Sequence, residues 1–391
     1  MVIRALAAVA AAPVVTLFAL APALPASAAP TPADVSLTPG PTSTVVSVSP
    51  DVFYDVPTAT YYLFTTGFGI GIYSSADGTS WAAVPGATSP GGPIADPSVI
   101  AMPDGNYRMY YAYRSDTTNP CSGKQLRYAT STDLIHWTAQ PQTLLDDIGC
   151  GVPNVVRAAA DDYRLYYVRG GSGLEHGTYM ATSPDGLAWT PRAGILSPND
   201  MVDPSVVQLP DGSWLMLTAD FPSGKSSGPF YQKLYAATSA NGFTWDFGTS
   251  TPLYVAPTPQ AAFDPDAVVL PDGSVRAWWS QGSSVDNAAV AEGAVTIGTA
   301  TPTITITGSR TSVGGKPGIL INGVTTGLPD GSTVVPWYHF PGQRTYTAGA
   351  ARPTIADGAF TWQRKTGKKF YAYVTTSDGL KSNTVTIQAP N

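Results

Sequence analysis

Residues 96–113 read DPSVIAMPDGNYRMYYAY, and this stretch decides the fold. An Asp-Pro dipeptide opens an apolar run, Pro-Asp-Gly follows at residues 103–105, and an aromatic run extends from Tyr107 to Tyr113. β-Branched and aromatic residues favour strands, and Asp-Gly favours a tight turn between antiparallel strands. The stretch therefore predicts a β-hairpin.

The same pattern recurs along the chain. Its openings are Ser49-Pro50-Asp51-Val52, Asp96-Pro97-Ser98-Val99, Val152-Pro153-Asn154-Val155, Asp203-Pro204-Ser205-Val206 and Asp264-Pro265-Asp266-Ala267. Four units end in a Ser-x-Asp-Gly-x-x-Trp-like sequence, at residues 75–81, 131–137, 183–189 and 239–245. We interpret this sequence as a turn whose Trp fills the gap between neighbouring blades. Repeats of this kind predict a five-bladed β-propeller over residues 44–299, with a strand around Thr44 to Val48 closing the ring.

The composition also predicts an all-β chain. Hydrophobic residues make up 43% of the 391 residues and charged residues 12%, with 39 Gly and 36 Pro. These proportions are typical of short strands joined by many turns. The formal net charge of −6 argues against nucleic acid as a partner, because phosphates require a basic surface.

The two ends of the chain differ from the repeats. Residues 1–29 combine a basic residue, an apolar run and an Ala-x-Ala site, which predicts a signal peptide and a secreted, extracellular protein with no membrane partner. Residues 30–43 are predicted to be a linker. In an exported protein, Cys121 and Cys150 predict a disulfide. Residues 300–391 show short alternating strands that resemble an immunoglobulin-like β-sandwich.

Three openings place an aspartate directly before the proline, namely Asp96, Asp203 and Asp264. Since the inner strands of a propeller all begin on one face, these carboxylates are expected to meet at one mouth. Asp51 and Asp266 lie two residues further on, where strand alternation predicts that they line the same mouth and bind substrate. Repulsion among the acids would raise their pKa values, as acid/base catalysis needs. The alternative is that each Asp-Pro only caps a strand entry.

The Asp-Pro openings, the Tyr-Tyr second strands and the Trp turns of residues 45–298 resemble those of family-43 and related five-bladed glycoside hydrolases. These enzymes include arabinanases, arabinofuranosidases and xylosidases, and they invert the anomeric carbon with an Asp base, a pKa-tuning Asp and a Glu acid. The resemblance implies that Asp96 is the base and Asp203 the tuning residue. A register that begins at Asp264 instead makes Asp96 the tuning residue and places Gly151 at the position of the acid. The sequence departs from the family in the acid, for which Asp264 and the loop residue Glu175 are the candidates.

The resemblance implies a monomeric hydrolase of furanose-containing polysaccharide such as arabinan or arabinoxylan. The main alternative is a non-catalytic glycan-binding or wall-associated protein that lacks the general acid. A sialidase is a third option, which is disfavoured because it would need six blades and an arginine triad. Arg114, Arg169 and Trp279 are further candidates for substrate binding, because aromatic faces stack on sugars and Arg binds hydroxyls. No cofactor and no transition-metal site are predicted, since the three His lack His-x-His spacing, and a calcium or sodium ion in the channel stays open.

Overall fold

The computed structural model describes residues 30–67, 69–114, 123–171, 174–221, 231–248, 251–298, 303–326, 328, 331–356, 358–377 and 379–390. The predicted signal peptide and Cys121 lie outside these residues, so the disulfide with Cys150 stays a prediction. Among the described residues only two short 3-10 turns, Pro32–Asp34 and Val285–Asn287, accompany the strands, and the all-β prediction is confirmed. No helix in these ranges is long and apolar enough to cross a bilayer.

Among the described residues, nineteen strands precede residue 298. They are β1 (Val35–Val46), β2 (Val48–Asp55), β3 (Thr60–Gly67), β4 (Gly69–Ser75), β5 (Ala82–Ala83), β6 (Ile94–Ala101), β7 (Tyr107–Arg114), β8 (Lys124–Ser131), β9 (Thr138–Ala139), β10 (Gly151–Ala159), β11 (Asp162–Gly171), β12 (Leu174–Ser183), β13 (Thr190–Pro191), β14 (Met201–Gln208), β15 (Trp214–Asp220), β16 (Leu234–Ser239), β17 (Ala261–Val269), β18 (Val275–Gly282) and β19 (Ala289–Ile297).

These strands form five antiparallel sheets that we number as blades one to five. From the innermost strand outward they are β2-β3-β4-β5, β6-β7-β8-β9, β10-β11-β12-β13, β14-β15-β16 and β17-β18-β19-β1. The inner strands β2, β6, β10, β14 and β17 contact one another in sequence, and β17 contacts β2. The sheets therefore surround one axis in a closed circle.

The repeated turns join the blades, as the sequence predicted. In blade one, the Ser75 hydroxyl accepts the Gly78 N–H, and the Asp77 carboxylate accepts the next two N–H groups at 2.8 Å. The Gly78 carbonyl in turn accepts the indole N–H of Trp278 in blade five at 2.8 Å. The other turn tryptophans pack edge-on against the preceding blade, as Phe64–Trp137, Tyr110–Trp189 and Tyr166–Trp245, with ring centroids 5.7, 6.0 and 5.9 Å apart. Each turn thus fills an interblade gap.

The N-terminal strand closes the ring. Strand β1 pairs antiparallel with β19, from Val35 opposite Ile297 to Val46 opposite Ala289. The prediction of a linker over residues 30–43 is therefore wrong from Val35 onward. Pro39-Gly40-Pro41 reads as a linker in sequence, but β1 is the outermost strand of its blade and shifts register between Pro39 and Thr42. Proline is tolerated at such edges and bulges, because no ladder N–H is needed there.

The residues after 302 form two further sheets. Their strands are β20 (Thr303–Val313), β21 (Lys316–Thr326), β22 (Val335–His339), β23 (Thr347–Ala348), β24 (Ala359–Lys365), β25 (Phe370–Thr375) and β26 (Val385–Ile387). The sheet orders are β20-β21-β24 and β23-β22-β25-β26. Buried residues from both sheets, including Ile306, Ile321, Phe370 and Val374, share one core. This part of the chain is therefore a two-layered module with its own core.

Candidate active site

Every inner strand begins with the same backbone irregularity. The residue before the opening proline has a left-handed φ in all five blades: Ser49 52°, Asp96 56°, Val152 50°, Asp203 55° and Asp264 46°. The pairing with the second strand shifts register at this point in each blade. Left-handed backbone is rare outside glycine and costs most for a β-branched residue such as Val152. Because the same bulge occurs in every blade, it changes the direction of all five of these side chains in the same way.

One serine hydroxyl joins two of the predicted catalytic aspartates. The Ser49 Oγ lies 3.0 Å from Asp96 Oδ1 and 3.1 Å from Asp264 Oδ2. The Ser49 N–H also donates to Asp264 Oδ2 at 3.2 Å, and the Val152 N–H donates to Asp96 Oδ2 at 3.2 Å. Asp96 and Asp264 therefore meet at the mouth, and each is held by the backbone of the following blade.

Asp203 completes the acidic group. It is buried, and its Oδ2 accepts the Gln232 side-chain N–H at 3.2 Å. Burial, followed by repulsion from Asp96, raises the pKa of Asp203 to about 6. Burial, followed by repulsion from Asp203 and Asp96, raises the pKa of Asp264 well above its usual range. The structure thus brings all three aspartates into one electrostatic site.

Lys124, like Gln232, is a residue of the site that sequence reasoning missed. Its side chain is 8% exposed, and its Nζ lies 4.0 Å from Asp96 Oδ2 while donating to the Cys150 carbonyl. Gly151, at φ +94°, makes room, because a Cβ there would lie 3.1 Å from Nζ. The available signal was position: Lys124 begins the third strand of its blade, and third strands start on the face where inner strands begin.

We expect Lys124→Met to lower the free energy of unfolding by about 2 kcal/mol. The variant removes a buried charged donor from both the Cys150 carbonyl and the Asp96 carboxylate, and hydrogen bonds to charged groups contribute about 1.5–3 kcal/mol. Urea unfolding measures the change, with Lys316→Met as the control at an exposed lysine. Equal stability of the two variants would contradict this account of Lys124.

Asp51 and Asp266, predicted to bind substrate, instead belong to a second, structural ring. In each blade the second residue after the bulge accepts a backbone N–H from the next blade. The pairs are Asp51 with Val99, Ser98 with Val155, Asn154 with Val206, Ser205 with Ala267 and Asp266 with Val52, at 2.7–3.0 Å. Asp51 and Asp266 are buried. The bulge breaks the strand alternation that placed them at the mouth, and their role in substrate binding stays a prediction.

The first ring is formed by the residues directly before the opening prolines, and the structural ring lies next to it. Together the two rings close the channel near the mouth. A space of only about 30 Å³ separates them, enough for about one water molecule. A cavity of about 540 Å³ opens on the other side of the structural ring, and it is lined by Tyr54, Val99, Arg157 and Leu270 among others. The carboxylate site is therefore a shallow mouth, separate from this cavity. Among the described residues, no group of three His, Cys, Asp or Glu is placed to hold a metal ion.

Glu175, the alternative acid, is not brought to the aspartates. It lies exposed on strand β12 and not on a loop, and its carbonyl accepts the Tyr179 hydroxyl at 2.9 Å. Its neighbour His176 faces the site instead. The His176 Nδ1 lies 3.0 Å from Asp200 Oδ1, and the electrostatic interaction of His176 with Asp203 acts to lower the pKa of Asp203.

The remaining candidates lie in different surroundings. Arg114 is exposed at the end of β7. Arg169 forms an ion pair with Asp147, with 2.9 Å between Nη2 and Oδ2. Trp279 is 1% exposed and packs against Tyr254, so its ring cannot stack on a sugar. The prediction of substrate binding by Trp279 is wrong, because its face of β18 packs between blades four and five.

Comparison with known proteins identifies the fold. A thermostable family-43 glycoside hydrolase superposes with a TM-score of 0.50 at 13% identity, over 71% of this chain and 94% of its own. A Cellvibrio cellulosa α-L-arabinanase complexed with arabinohexaose (TM-score 0.49, 14% identity) covers 78% of this chain and 96% of its own. A Phanerochaete chrysosporium exo-β-1,3-galactanase with galactose (0.47, 11%) covers 84% and 95%. No protein-family model and no curated protein sequence matches. At these identities the likeness shows a shared fold, the β-propeller of the first of these structures.

Proposed function

We propose that the protein is a secreted glycoside hydrolase that cleaves O-glycosidic bonds in furanose-containing polysaccharide such as arabinan or arabinoxylan. One observation carries the proposal: the carboxylates of Asp96 and Asp264 share the Ser49 hydroxyl, and Asp203 lies within their field. Acid/base hydrolysis requires two carboxyl groups that act as acid and base, and three blades supply aspartates at this site. The fold of family-43 enzymes supports the same reaction class by analogy.

The environments of the carboxyl groups support a specific role for each aspartate. Asp96, beside the Lys124 ammonium, is the base that takes a proton from water as the water oxygen attacks the anomeric carbon. Asp264, whose pKa is raised by burial and by its neighbours, is the acid that protonates the departing oxygen. Asp203 acts as the residue that keeps Asp264 protonated, through like-charge repulsion.

Ser49 sets the width of the site. Each of the two carboxylate oxygens lies within 3.1 Å of its hydroxyl, so they are at most twice that distance apart. Inverting enzymes hold their carboxyl groups roughly 6.5–9.5 Å apart to admit a water. Inversion therefore requires the two carboxyl groups to move apart from this arrangement, so that a water molecule fits between them.

The alternative is a glycan-binding protein without turnover. It is favoured by the two hydrogen bonds from Ser49 that hold Asp264, because a carboxyl group held in this way is less free to donate a proton. The test is turnover of aryl α-L-arabinofuranosides and arabinan by the purified chain, with NMR detection of the product anomer. We expect inversion, and loss of turnover in Asp203→Asn but not in the exposed control Asp286→Asn. Glycan binding without turnover in the unmodified chain would establish the alternative.

We also propose that the C-terminal module is an immunoglobulin-like sandwich. Its two sheet orders, β20-β21-β24 and β23-β22-β25-β26, correspond to strands A-B-E and C′-C-F-G of such a fold. The shared core of both sheets supports the same assignment. An experimental structure with a different strand order would overturn it.

A further inference from the structure

The outer face of the sheet β23-β22-β25-β26 carries aromatic side chains. Alternation in β25 buries Phe370, Ala372 and Val374 in the core and leaves Tyr371 and Tyr373 on the opposite face. Across the sheet, Trp337 pairs with Tyr373 and His339 pairs with Tyr371. The solvent face of an antiparallel sheet is ordinarily polar, so aromatic side chains at these positions require an explanation.

These side chains form one continuous surface, which we call the aromatic face and define as Trp337, His339, Tyr346, Tyr371 and Tyr373. The His339 and Tyr371 rings are stacked with centroids 4.5 Å apart, and Trp337 and Tyr373 are stacked at 6.2 Å. Tyr346 lies 4.5 Å from His339 and 4.6 Å from Tyr373. All five are partly exposed. Ring edges and phenol hydroxyls are thus presented together.

Positive charge borders the aromatic face. The Lys381 Nζ lies 3.9 Å from the Tyr373 ring centroid, and the Lys369 Nζ lies 5.4 Å from that of Tyr371. The basic residues after 300 are Arg310, Lys316, Arg344, Arg352, Arg364, Lys365, Lys368, Lys369 and Lys381, and the acidic ones are Asp330, Asp357 and Asp378. Nine basic against three acidic residues give this module a formal charge of +6, whereas the whole chain carries −6. The charge of the module is therefore opposite to that of the chain.

We propose that the aromatic face binds an acidic polysaccharide. Sugar C–H groups would contact the ring edges, sugar hydroxyls would bond the phenol hydroxyls, and carboxylates would pair with Lys369 and Lys381. Single-stranded nucleic acid is disfavoured because bases need open ring faces, and the His339 and Tyr371 faces already cover each other. The site is separate from the mouth of the propeller and does not depend on catalysis there.

Affinity electrophoresis of the full chain tests the proposal. We expect polygalacturonate in the gel to retard the protein, neutral dextran to leave its mobility unchanged, and high salt to weaken the retardation. Asp264→Asn is expected to bind as the unmodified chain does, which separates this test from that of hydrolysis. Lack of retardation, retardation by neutral dextran, or competition by single-stranded DNA would overturn the proposal.

Matched double variants locate the site. Lys369→Gln with Lys381→Gln is expected to weaken binding about tenfold while leaving every ring in place. Lys316→Gln with Lys365→Gln removes the same charge from the other sheet and is expected to bind nearly normally. Tyr371→Ala is expected to lose a similar factor by removing ring contact. Equal losses in the two double variants would show that net charge alone drives binding, which contradicts the site.

Discussion

Replacing Asp264 with asparagine is expected to lower kcat on arabinan by about 10²–10⁴-fold, the usual contribution of a general acid. Asparagine retains an oxygen that can accept the Ser49 N–H and hydroxyl, so the mouth keeps its shape. It cannot supply a proton to the departing sugar oxygen. Turnover measured on arabinan at saturating substrate gives the loss directly.

The leaving group distinguishes an acid from a residue that only shapes the site. A nitrophenolate leaves without protonation, so Asp264→Asn is expected to lose far less activity on a nitrophenyl arabinofuranoside than on arabinan. Glu175→Gln is the matched control, because Glu175 is exposed and lies on the other side of its strand from His176. Loss on arabinan in Glu175→Gln together with normal turnover in Asp264→Asn would assign the acid to Glu175 instead.

Replacing Asp266 with asparagine is expected to stabilise the propeller in alkaline solution. Burial raises the pKa of Asp266 to about 7, above its ordinary value near 3.9 in the unfolded chain. A raised folded pKa contributes stability that is present below the unfolded pKa and lost as the pH rises through about 7. Since each unit of pKa difference is worth about 1.4 kcal/mol, the loss is on the order of 1–4 kcal/mol.

Another blade of the same chain already has asparagine at the position equivalent to Asp266. In blade three Asn154 occupies the equivalent position, and its amide oxygen accepts the Val206 N–H at 3.0 Å, as Asp266 accepts the Val52 N–H. Thermal unfolding near pH 5 and near pH 8 measures the effect. We expect similar Tm values at the lower pH and a higher Tm for Asp266→Asn at the higher pH, with Asp286→Asn unchanged. A lower Tm at both would mean that the ring needs a carboxylate.

The blades could be predicted from sequence because their signals are local. An opening proline, an Asp-Gly turn and a Trp at the seventh position of its motif are each local signals, and the structure places them as expected. Asp96, Asp203 and Asp264 were expected to meet because all inner strands begin on one face. These features required no knowledge of contacts between distant residues.

The errors arose where tertiary structure overrides local pattern. An x-Pro motif does not reveal the left-handed residue at each strand entry. Strand alternation therefore predicted Asp266 at the mouth, whereas it lies in the structural ring. In the sequence Trp279 resembles a sugar-stacking residue, but in the structure residues of blade four cover its ring. Lys124 reaches Asp96 only because Gly151, 27 positions along the chain, lacks a side chain. A linker and an edge strand can share one composition, as Pro39-Gly40-Pro41 shows.

The fifth blade is built from both ends of the propeller, and this has a consequence for biosynthesis. Strand β1 emerges first but pairs with β19, more than 240 residues later. Until that partner has been synthesised, β1 has no strand to pair with. The fifth blade is therefore completed when the first strand of the propeller pairs with its last, and a chain truncated before residue 289 lacks that pairing.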